Sequence, residues 1–273
     1  MDTRAQLTIR YRTFGGGGPK VVLLHGGMQS SGNFRRLAAA LQDRFTVYVP
    51  DRRGRGLSGP IGAGHGLATE VGDLDALLQE TGARNVFGLS AGAVIALQAA
   101  LELPAIERLA LYEPPLPFGD VDPVHWLPRF EKELAANRKA AAFATVVNGT
   151  GDRKLPRAVL VPLMRLALRA EARAHRPIGH TPLGDLITTM RYDGITVAQS
   201  AGPLSRFAAV SAETLLLGGE KSAAYLKAAL NGLEPVLPHV CRVTLPGVGH
   251  LAADDRGRPD LVAEHLRRFF GGQ

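Results

Sequence analysis

The chain has 273 residues, of which 45% are hydrophobic and 21% are charged, a composition typical of globular proteins and unlike that of disordered or fibrous chains. No stretch approaches the roughly 20 apolar residues that span a bilayer, and the first twelve residues are too polar for a secretory signal. We therefore expect a cytoplasmic protein with no membrane partner. The single cysteine, Cys241, excludes an internal disulfide, and its strand-like surroundings predict a buried thiol.

The net charge is +7, and the segment 114–212 contains 13 Lys and Arg residues against 8 Asp and Glu residues. The basic residues form no run longer than two, and aromatic residues make up only 6% of the chain, which argues against a nucleic-acid partner. The local excess of positive charge suits an acidic carrier protein or an anionic coenzyme thioester. A solubilising surface is the simpler interpretation.

Short apolar runs alternate with helical segments through the first 113 residues. The predicted strands are 7–14, 21–24, 45–49, 85–88 and 106–112, and the predicted helices are 34–41, 67–78 and 91–103. Strands and helices that alternate in this way build a parallel sheet with helices on both of its faces.

The alternation stops at residue 114 and resumes after residue 212. The segment 114–212 is rich in proline and helical in its spacing, and it is followed by predicted strands at 214–217 and 240–245 and predicted helices at 223–230 and 261–270. We therefore expect a single α/β core formed by residues 1–113 and 213–273, with residues 114–212 inserted as a helical cap.

Residues 88–92 read Gly-Leu-Ser-Ala-Gly, a G-x-S-x-G motif that an apolar strand enters and a helix of small residues leaves. Ser90 is thus predicted on a sharp strand-to-helix turn, where glycines remove side chains that would collide. Its hydroxyl is expected at the carboxyl ends of the strands, where open α/β sheets bind ligands. The adjacent helix N-terminus favours negative charge at this position.

Four motifs in this order resemble the α/β-hydrolase family, and the resemblance covers nearly all of the chain outside 114–212. The motifs are His-Gly-Gly-Met at 25–28, Asp-Arg-Arg-Gly-Arg-Gly-Leu-Ser at 51–58, Gly-Leu-Ser-Ala-Gly at 88–92 and Gly-Val-Gly-His at 247–250. The resemblance implies a mostly parallel central sheet and a helical cap inserted between the sixth and seventh strands. It also implies that Ser90 is the nucleophile and His250 its general base, because a serine hydroxyl needs an imidazole to accept its proton.

The resemblance further implies an oxyanion hole made of two backbone N–H groups. One donor is Ala91, which follows the serine, and the other is Gly27 or Met28, of which we favour Gly27. His25 is expected to hold this loop in shape through hydrogen bonds of its ring.

The chain departs from the family at the acidic residue that orients the histidine. The family pattern resembles Gly-Glu-Lys-Asp, but residues 219–222 read Gly-Glu-Lys-Ser, and serine cannot stabilise an imidazolium as a carboxylate does. Glu113, at the end of the strand 106–112, is our preferred substitute, since dehalogenase-like members of the family place their acid at that strand end. Glu220, or no carboxylate at all, remains an alternative.

The substrate pocket is the least defined part of the prediction. His125, Trp126, Phe130, Met164 and Met190 are candidates for lining an acyl or aromatic pocket, although core packing is the simpler interpretation. No metal-ligand spacing and no dinucleotide-binding fingerprint is present, so we expect neither a metal nor a cofactor.

We therefore expect a serine hydrolase that cleaves an ester, thioester or lactone, with a small-molecule substrate that is either free or linked to a carrier protein or coenzyme. One alternative keeps the fold but changes the reaction to carbon–carbon bond hydrolysis, cyclisation or a lyase step. The other is a ligand-binding homologue without a working triad. The sequence leaves the oligomeric state open.

Overall fold

Seven strands form one sheet in the computed structural model, which describes residues 9–151, 155–173 and 181–272. The strands are β1 (Arg10–Phe14), β2 (Lys20–Leu24), β3 (Thr46–Asp51), β4 (Asn85–Leu89), β5 (Arg108–Tyr112), β6 (Glu213–Gly219) and β7 (Val240–Leu245). Their order across the sheet is β1-β3-β2-β4-β5-β6-β7, with β1 antiparallel to β3 and every other neighbouring pair parallel. The predicted α/β class with a mostly parallel sheet is confirmed.

Helices connect the strands of this sheet. The α-helices of the described residues are α1 (Arg35–Ala39), α2 (Leu67–Thr81), α3 (Ala91–Glu102), α4 (Leu127–Ala135), α5 (Lys139–Thr150), α6 (Arg157–Arg173), α7 (Leu183–Gln199), α8 (Ala224–Leu233) and α9 (Pro259–Gly271). A 3-10 helix, Ser31–Phe34, precedes α1, and a second one, Leu204–Ala209, precedes β6. Within the described ranges, none of the helices is long and apolar enough to cross a bilayer.

The core consists of two layers, one on each face of the sheet, because successive side chains of a strand point to opposite faces. Val22 of β2 belongs to the layer covered by α2, α3 and α8, whereas Val21 and Leu23 belong to the layer covered by α1 and α9. Burial on both faces explains why the central strands are nearly unbroken apolar runs.

Three details of the sequence prediction change. The inserted segment contains the helices α4 to α7. It lies between the fifth and sixth of the seven described strands, not between the sixth and seventh strands as predicted. The strand predicted at 7–14 begins at Arg10, and positions 7 and 8 lie outside the described residues. The prediction of a buried thiol is wrong: Cys241 is exposed, because β7 is an edge strand of the sheet.

Candidate active site

Ser90 lies directly after β4, on the turn that begins α3. Its backbone has φ 54° and ψ −121°, a conformation that is strained for a residue with a side chain. A Cβ at Gly88 would lie 2.5 Å from the carbonyl oxygen of Gly92, and a Cβ at Gly92 would lie 2.5 Å from that of Leu24. The Ser90 N–H donates to the Tyr112 carbonyl oxygen at 2.9 Å. The glycines and this bond hold the serine at the carboxyl edge of the sheet.

Glu113 and His250 form a hydrogen-bonded pair at the same edge. The Nδ1 atom of His250 lies 2.7 Å from Glu113 Oε2, and Glu113 Oε1 accepts the Gly219 N–H at 2.6 Å. The Glu113 side chain is fully buried, whereas 27% of the His250 side chain is exposed. Since an ionised carboxylate only accepts hydrogen bonds, the proton of a neutral His250 lies on Nδ1. This assignment leaves Nε2 available as a proton acceptor.

The backbone around the end of β5 explains how Glu113 reaches the histidine. Glu113 has φ 50°, and its N–H donates to the Leu217 carbonyl oxygen of β6 at 3.1 Å. A Cβ at Gly218 would lie 3.3 Å from Glu113 Oε1. Glycine at the end of β6 therefore leaves room for a buried carboxylate under the His250 turn.

The two other positions considered for the acid lie nearby but make different contacts. Glu220 is exposed, and its Oε2 atom accepts the Gly247 N–H at 2.7 Å. Ser222, where the family has an aspartate, is buried, and its Oγ atom has no hydrogen-bond partner among the described residues. Of these three residues, Glu113 is the one whose carboxylate bonds to His250.

The sequence predicts that two backbone N–H groups beside Ser90 form an oxyanion hole, and these groups can do so only if no other acceptor engages them. Among the residues that the structure describes, neither the N–H of Gly27 nor that of Ala91 has an acceptor. Ala91 is the first residue of α3, where an N–H has no partner within the helix. The Met28 N–H instead approaches Asp193 Oδ2 at 3.4 Å. The geometry thus favours Gly27 over Met28 as the second donor.

His25 links the loop 26–28, called the oxyanion loop because it carries the predicted donor Gly27, to the residue that follows β3. Its Nδ1 atom lies 3.0 Å from the Gly26 carbonyl oxygen, and its Nε2 atom accepts the Arg52 N–H at 3.3 Å. Burial, together with the nearby charges of Arg55 and Arg52, lowers the pKa of His25 well below its ordinary value. A neutral ring with the proton on Nδ1 satisfies both bonds, which matches the structural role predicted for it.

Ser90 and His250 line one cavity of about 520 Å³, together with Gly27, Met28 and Ala91. The inserted segment 114–212 contributes most of its apolar wall. These wall residues include Val124, Trp126, Phe143, Val146, Val147, Met190 and Val197. Trp126 is fixed by its indole N–H, which donates to the Pro123 carbonyl oxygen at 2.9 Å, and by edge-to-face packing on Phe130 at 5.6 Å.

Of the five candidate pocket residues, Trp126 and Met190 line this cavity, whereas Phe130 packs on Trp126 behind the wall and His125 and Met164 lie elsewhere. His125 is exposed, and its Nδ1 atom lies 3.0 Å from the Asp122 carbonyl oxygen. Met164 is half-buried on α6, which packs against α5 outside the cavity wall.

Sequence reasoning missed a polar link between the oxyanion loop and the turn that follows His250. The Gly26 N–H donates to Gln29 Oε1 at 2.8 Å, and Gln29 Nε2 donates to Asp254 Oδ2 at 2.7 Å. Asn33 Nδ2 donates to the same Asp254 oxygen at 2.8 Å. No motif marks these residues, because the link joins positions more than 200 apart in the chain.

Comparison with known proteins agrees with this architecture. Residues 21–265 match the model of the alpha/beta hydrolase family. The chain is 28% identical over 258 residues to the pimeloyl-[acyl-carrier protein] methyl ester esterase of Xanthomonas campestris pv. campestris. This alignment covers 93% of this chain and 96% of that protein.

Solved structures show the same fold. An alpha/beta hydrolase from Sphaerobacter thermophilus superposes with a TM-score of 0.77 and 31% identity, over 96% of each chain. The enol-lactonase from Burkholderia xenovorans superposes with a TM-score of 0.69 at 21% identity, again over 96% of each chain, a likeness that concerns the fold alone. The family match, the sheet order and the strand-to-helix turn at Ser90 together show that this chain belongs to the α/β hydrolase family and is a hydrolase.

Proposed function

We propose that the protein is a serine hydrolase that cleaves carboxylic esters, thioesters or lactones through an acyl-enzyme on Ser90. The observation that carries this proposal is the 2.7 Å bond between the buried Glu113 carboxylate and His250 Nδ1. Ser90 and His250 line the same cavity, and the buried Glu113 bonds to His250 from behind its wall, so a hydroxyl, a base and an acid are present, which are the parts that acyl transfer requires.

In the proposed mechanism, His250 Nε2 accepts the proton of the Ser90 hydroxyl while Ser90 Oγ attacks the substrate carbonyl carbon. The oxyanion that forms is held by the N–H groups of Gly27 and Ala91. His250 then gives its proton to the leaving alcohol, thiol or lactone oxygen, and the acyl group stays on Ser90. A water molecule that loses its proton to His250 releases the carboxylic acid and restores the serine.

Glu113 acts on the histidine in two ways. The Nδ1–Oε2 bond fixes the ring with Nε2 available to accept a proton, and the negative charge stabilises the imidazolium that forms when the proton arrives. The buried carboxylate at the end of β5 thereby replaces the aspartate that the family has at position 222.

The lining of the cavity favours a substrate whose acid portion is an apolar acyl group. The apolar part of its wall is aliphatic and aromatic and comes mostly from the inserted segment, so we propose that residues 114–212 act as a cap that selects the acyl chain. The relative from Xanthomonas is a methyl ester esterase of pimeloyl-acyl-carrier protein, which supports an ester with an aliphatic acid portion. The cytoplasmic location and a carrier-linked substrate stay predictions.

The proposal is tested by turnover of p-nitrophenyl esters of increasing acyl length. We expect Ser90→Ala to abolish turnover, whereas Ser222→Ala, which removes a buried hydroxyl without a bonding partner among the described residues, keeps it. Unchanged turnover in a pure, folded Ser90→Ala protein would reject the nucleophile. Comparable loss in both variants would indicate a general effect on the fold rather than on the reaction.

A further inference from the structure

The carboxylate of Asp193 lies against the oxyanion loop 26–28, although Asp193 belongs to α7 of the inserted segment. Its side chain is buried and lines the active-site cavity. Asp193 Oδ2 is 3.4 Å from the Met28 nitrogen, and a Cβ at Gly27 would lie 3.2 Å from the same oxygen. A Cβ at Gly27 would also lie 3.1 Å from Met190 Sδ. The inserted helix therefore contacts the loop at two successive residues and favours glycine at position 27.

Two buried arginines hold this carboxylate in place. Arg52 Nη1 donates to Asp193 Oδ1 at 2.9 Å, and Arg55 Nη2 donates to Asp193 Oδ2 at 2.7 Å. Arg52 is itself fixed by Glu70, through bonds of 2.6 Å from Nη2 and 3.0 Å from Nε. Each oxygen of Asp193 thus has its own cationic donor, which gives the side chain one defined position.

The charges of this cluster balance. Arg52 and Arg55 face Glu70 and Asp193, and His65 Nε2 lies 3.0 Å from Glu70 Oε1. Burial raises the pKa of Glu70, but the charge of Arg52 and the bond from His65 lower it overall, so Glu70 is ionised. Burial lowers the pKa of Arg55, an effect that Asp193 opposes. Asp193 therefore lies beside the oxyanion loop without adding a net negative charge to it.

We propose that Asp193 is a positioning residue, which holds the loop 26–28 so that the Gly27 N–H points at the oxyanion. This inference rests on the proposed function of Ser90. Because Asp193 comes from α7, the oxyanion donor is placed correctly when the inserted helices are packed on the core. The cap then contributes to the chemical step as well as to the binding of the acyl chain.

The test compares two variants of the full chain that disturb the same cluster. Asp193→Asn and Glu70→Gln each remove one buried carboxylate charge that pairs with Arg52, but only Asp193 lines the cavity and contacts the loop. We expect Asp193→Asn to lower kcat for a p-nitrophenyl ester by about 10-fold to 100-fold with little change in KM, since a small displacement of a catalytic group costs up to about 100-fold. Glu70→Gln, which acts on Asp193 only through Arg52, is expected to lower kcat by less than Asp193→Asn does.

A purely structural role for Asp193 predicts a different pattern. Both variants would then unfold at lower temperature while kcat stayed at the wild-type value, and that result would overturn the proposal. If Asp193→Asn does not fold, Arg55→Lys gives a second test, because it keeps the charge but loses the planar guanidinium that orients the carboxylate. We expect it to lower kcat, and an unchanged kcat would count against the proposal.

A boronic acid inhibitor separates this inference from the proposed function. Its adduct with Ser90 places an oxygen at the oxyanion position, so binding should weaken in Asp193→Asn by about the same factor as kcat. Equal binding to both proteins would overturn the role of Asp193 and leave the nucleophile in place. If the inhibitor binds Ser90→Ala as tightly as it binds the wild-type protein, both the role of Asp193 and the proposed function of Ser90 are overturned.

Discussion

Replacing Glu113 by glutamine removes one charge from the active site with little change in shape. One carboxylate oxygen accepts the Gly219 N–H at 2.6 Å, and the other faces His250 Nδ1 at 2.7 Å. In Glu113→Gln the amide oxygen is needed at Gly219, so the amide NH₂ group faces the histidine. That group donates a hydrogen bond, and the ring must then keep its proton on Nε2. In this tautomer His250 cannot accept the proton of Ser90.

The size of the effect follows from the geometry of the pair. Two unit charges 2.7 Å apart attract by about 6 kcal/mol at an effective dielectric constant of about 20. Solvent reduces this value, because 27% of the His250 side chain is exposed. Loss of about 4–5 kcal/mol of transition-state stabilisation corresponds to a fall in kcat of about 10³-fold to 10⁴-fold.

The assay is steady-state turnover of a p-nitrophenyl ester by the wild-type protein, Glu113→Gln and Glu220→Gln. Glu220 is the matched control, because it is a carboxylate at the same turn that bonds to Gly247 rather than to His250. We expect the control to keep its kcat. Turnover by Glu113→Gln within a few-fold of the wild type, or a large loss in Glu220→Gln alone, would refute the reasoning.

Two further predictions concern the scaffold. The pKa of buried His25 is lowered, so below about pH 6.5 the unfolded chain binds a proton that the folded chain does not. The free energy of unfolding should therefore fall as pH decreases below about 6.5, by up to about 1.4 kcal/mol per pH unit. Urea unfolding should show a smaller change of this free energy with pH in His25→Asn, and an equal change in both proteins would contradict the prediction. Gly88→Ala should lower the free energy of unfolding by about 1–3 kcal/mol, since its Cβ would lie 2.5 Å from the Gly92 carbonyl oxygen. Gly72→Ala in α2, where a Cβ meets nothing within 4 Å, should raise the free energy of unfolding by about 1 kcal/mol. If thermal unfolding ranks the stabilities of the two variants in the opposite order, the packing argument is contradicted.

The centre of the sheet could be predicted from the sequence because its strands are buried apolar runs with sharp ends. The strand at Val240–Leu245 has the predicted bounds, whereas the one predicted at 106–112 begins at Arg108. Ile106 is apolar and buried, but its N–H bonds to the Leu103 carbonyl oxygen in a turn. Apolar spacing reports burial and does not report which partner a backbone N–H has.

The candidate site was predictable where a local pattern marks it. Ser90 lies in a motif of five residues, and Glu113 could be suggested because the carboxyl ends of neighbouring parallel strands meet at one edge of the sheet. Gln29, Asp254 and Asp193 could not be found in the same way. Each acts through a bond to a residue far along the chain, and helix packing alone brings Asp193 to the oxyanion loop.

The most direct test of the central claim is the mass of the protein after it reacts with a fluorophosphonate or a slowly hydrolysed ester. The account predicts a single covalent adduct on the peptide that contains residues 88–92, with the modification on Ser90, and no adduct in Ser90→Ala. Hydrolysis of the ester without any adduct on Ser90, or an adduct that persists in Ser90→Ala, would contradict it.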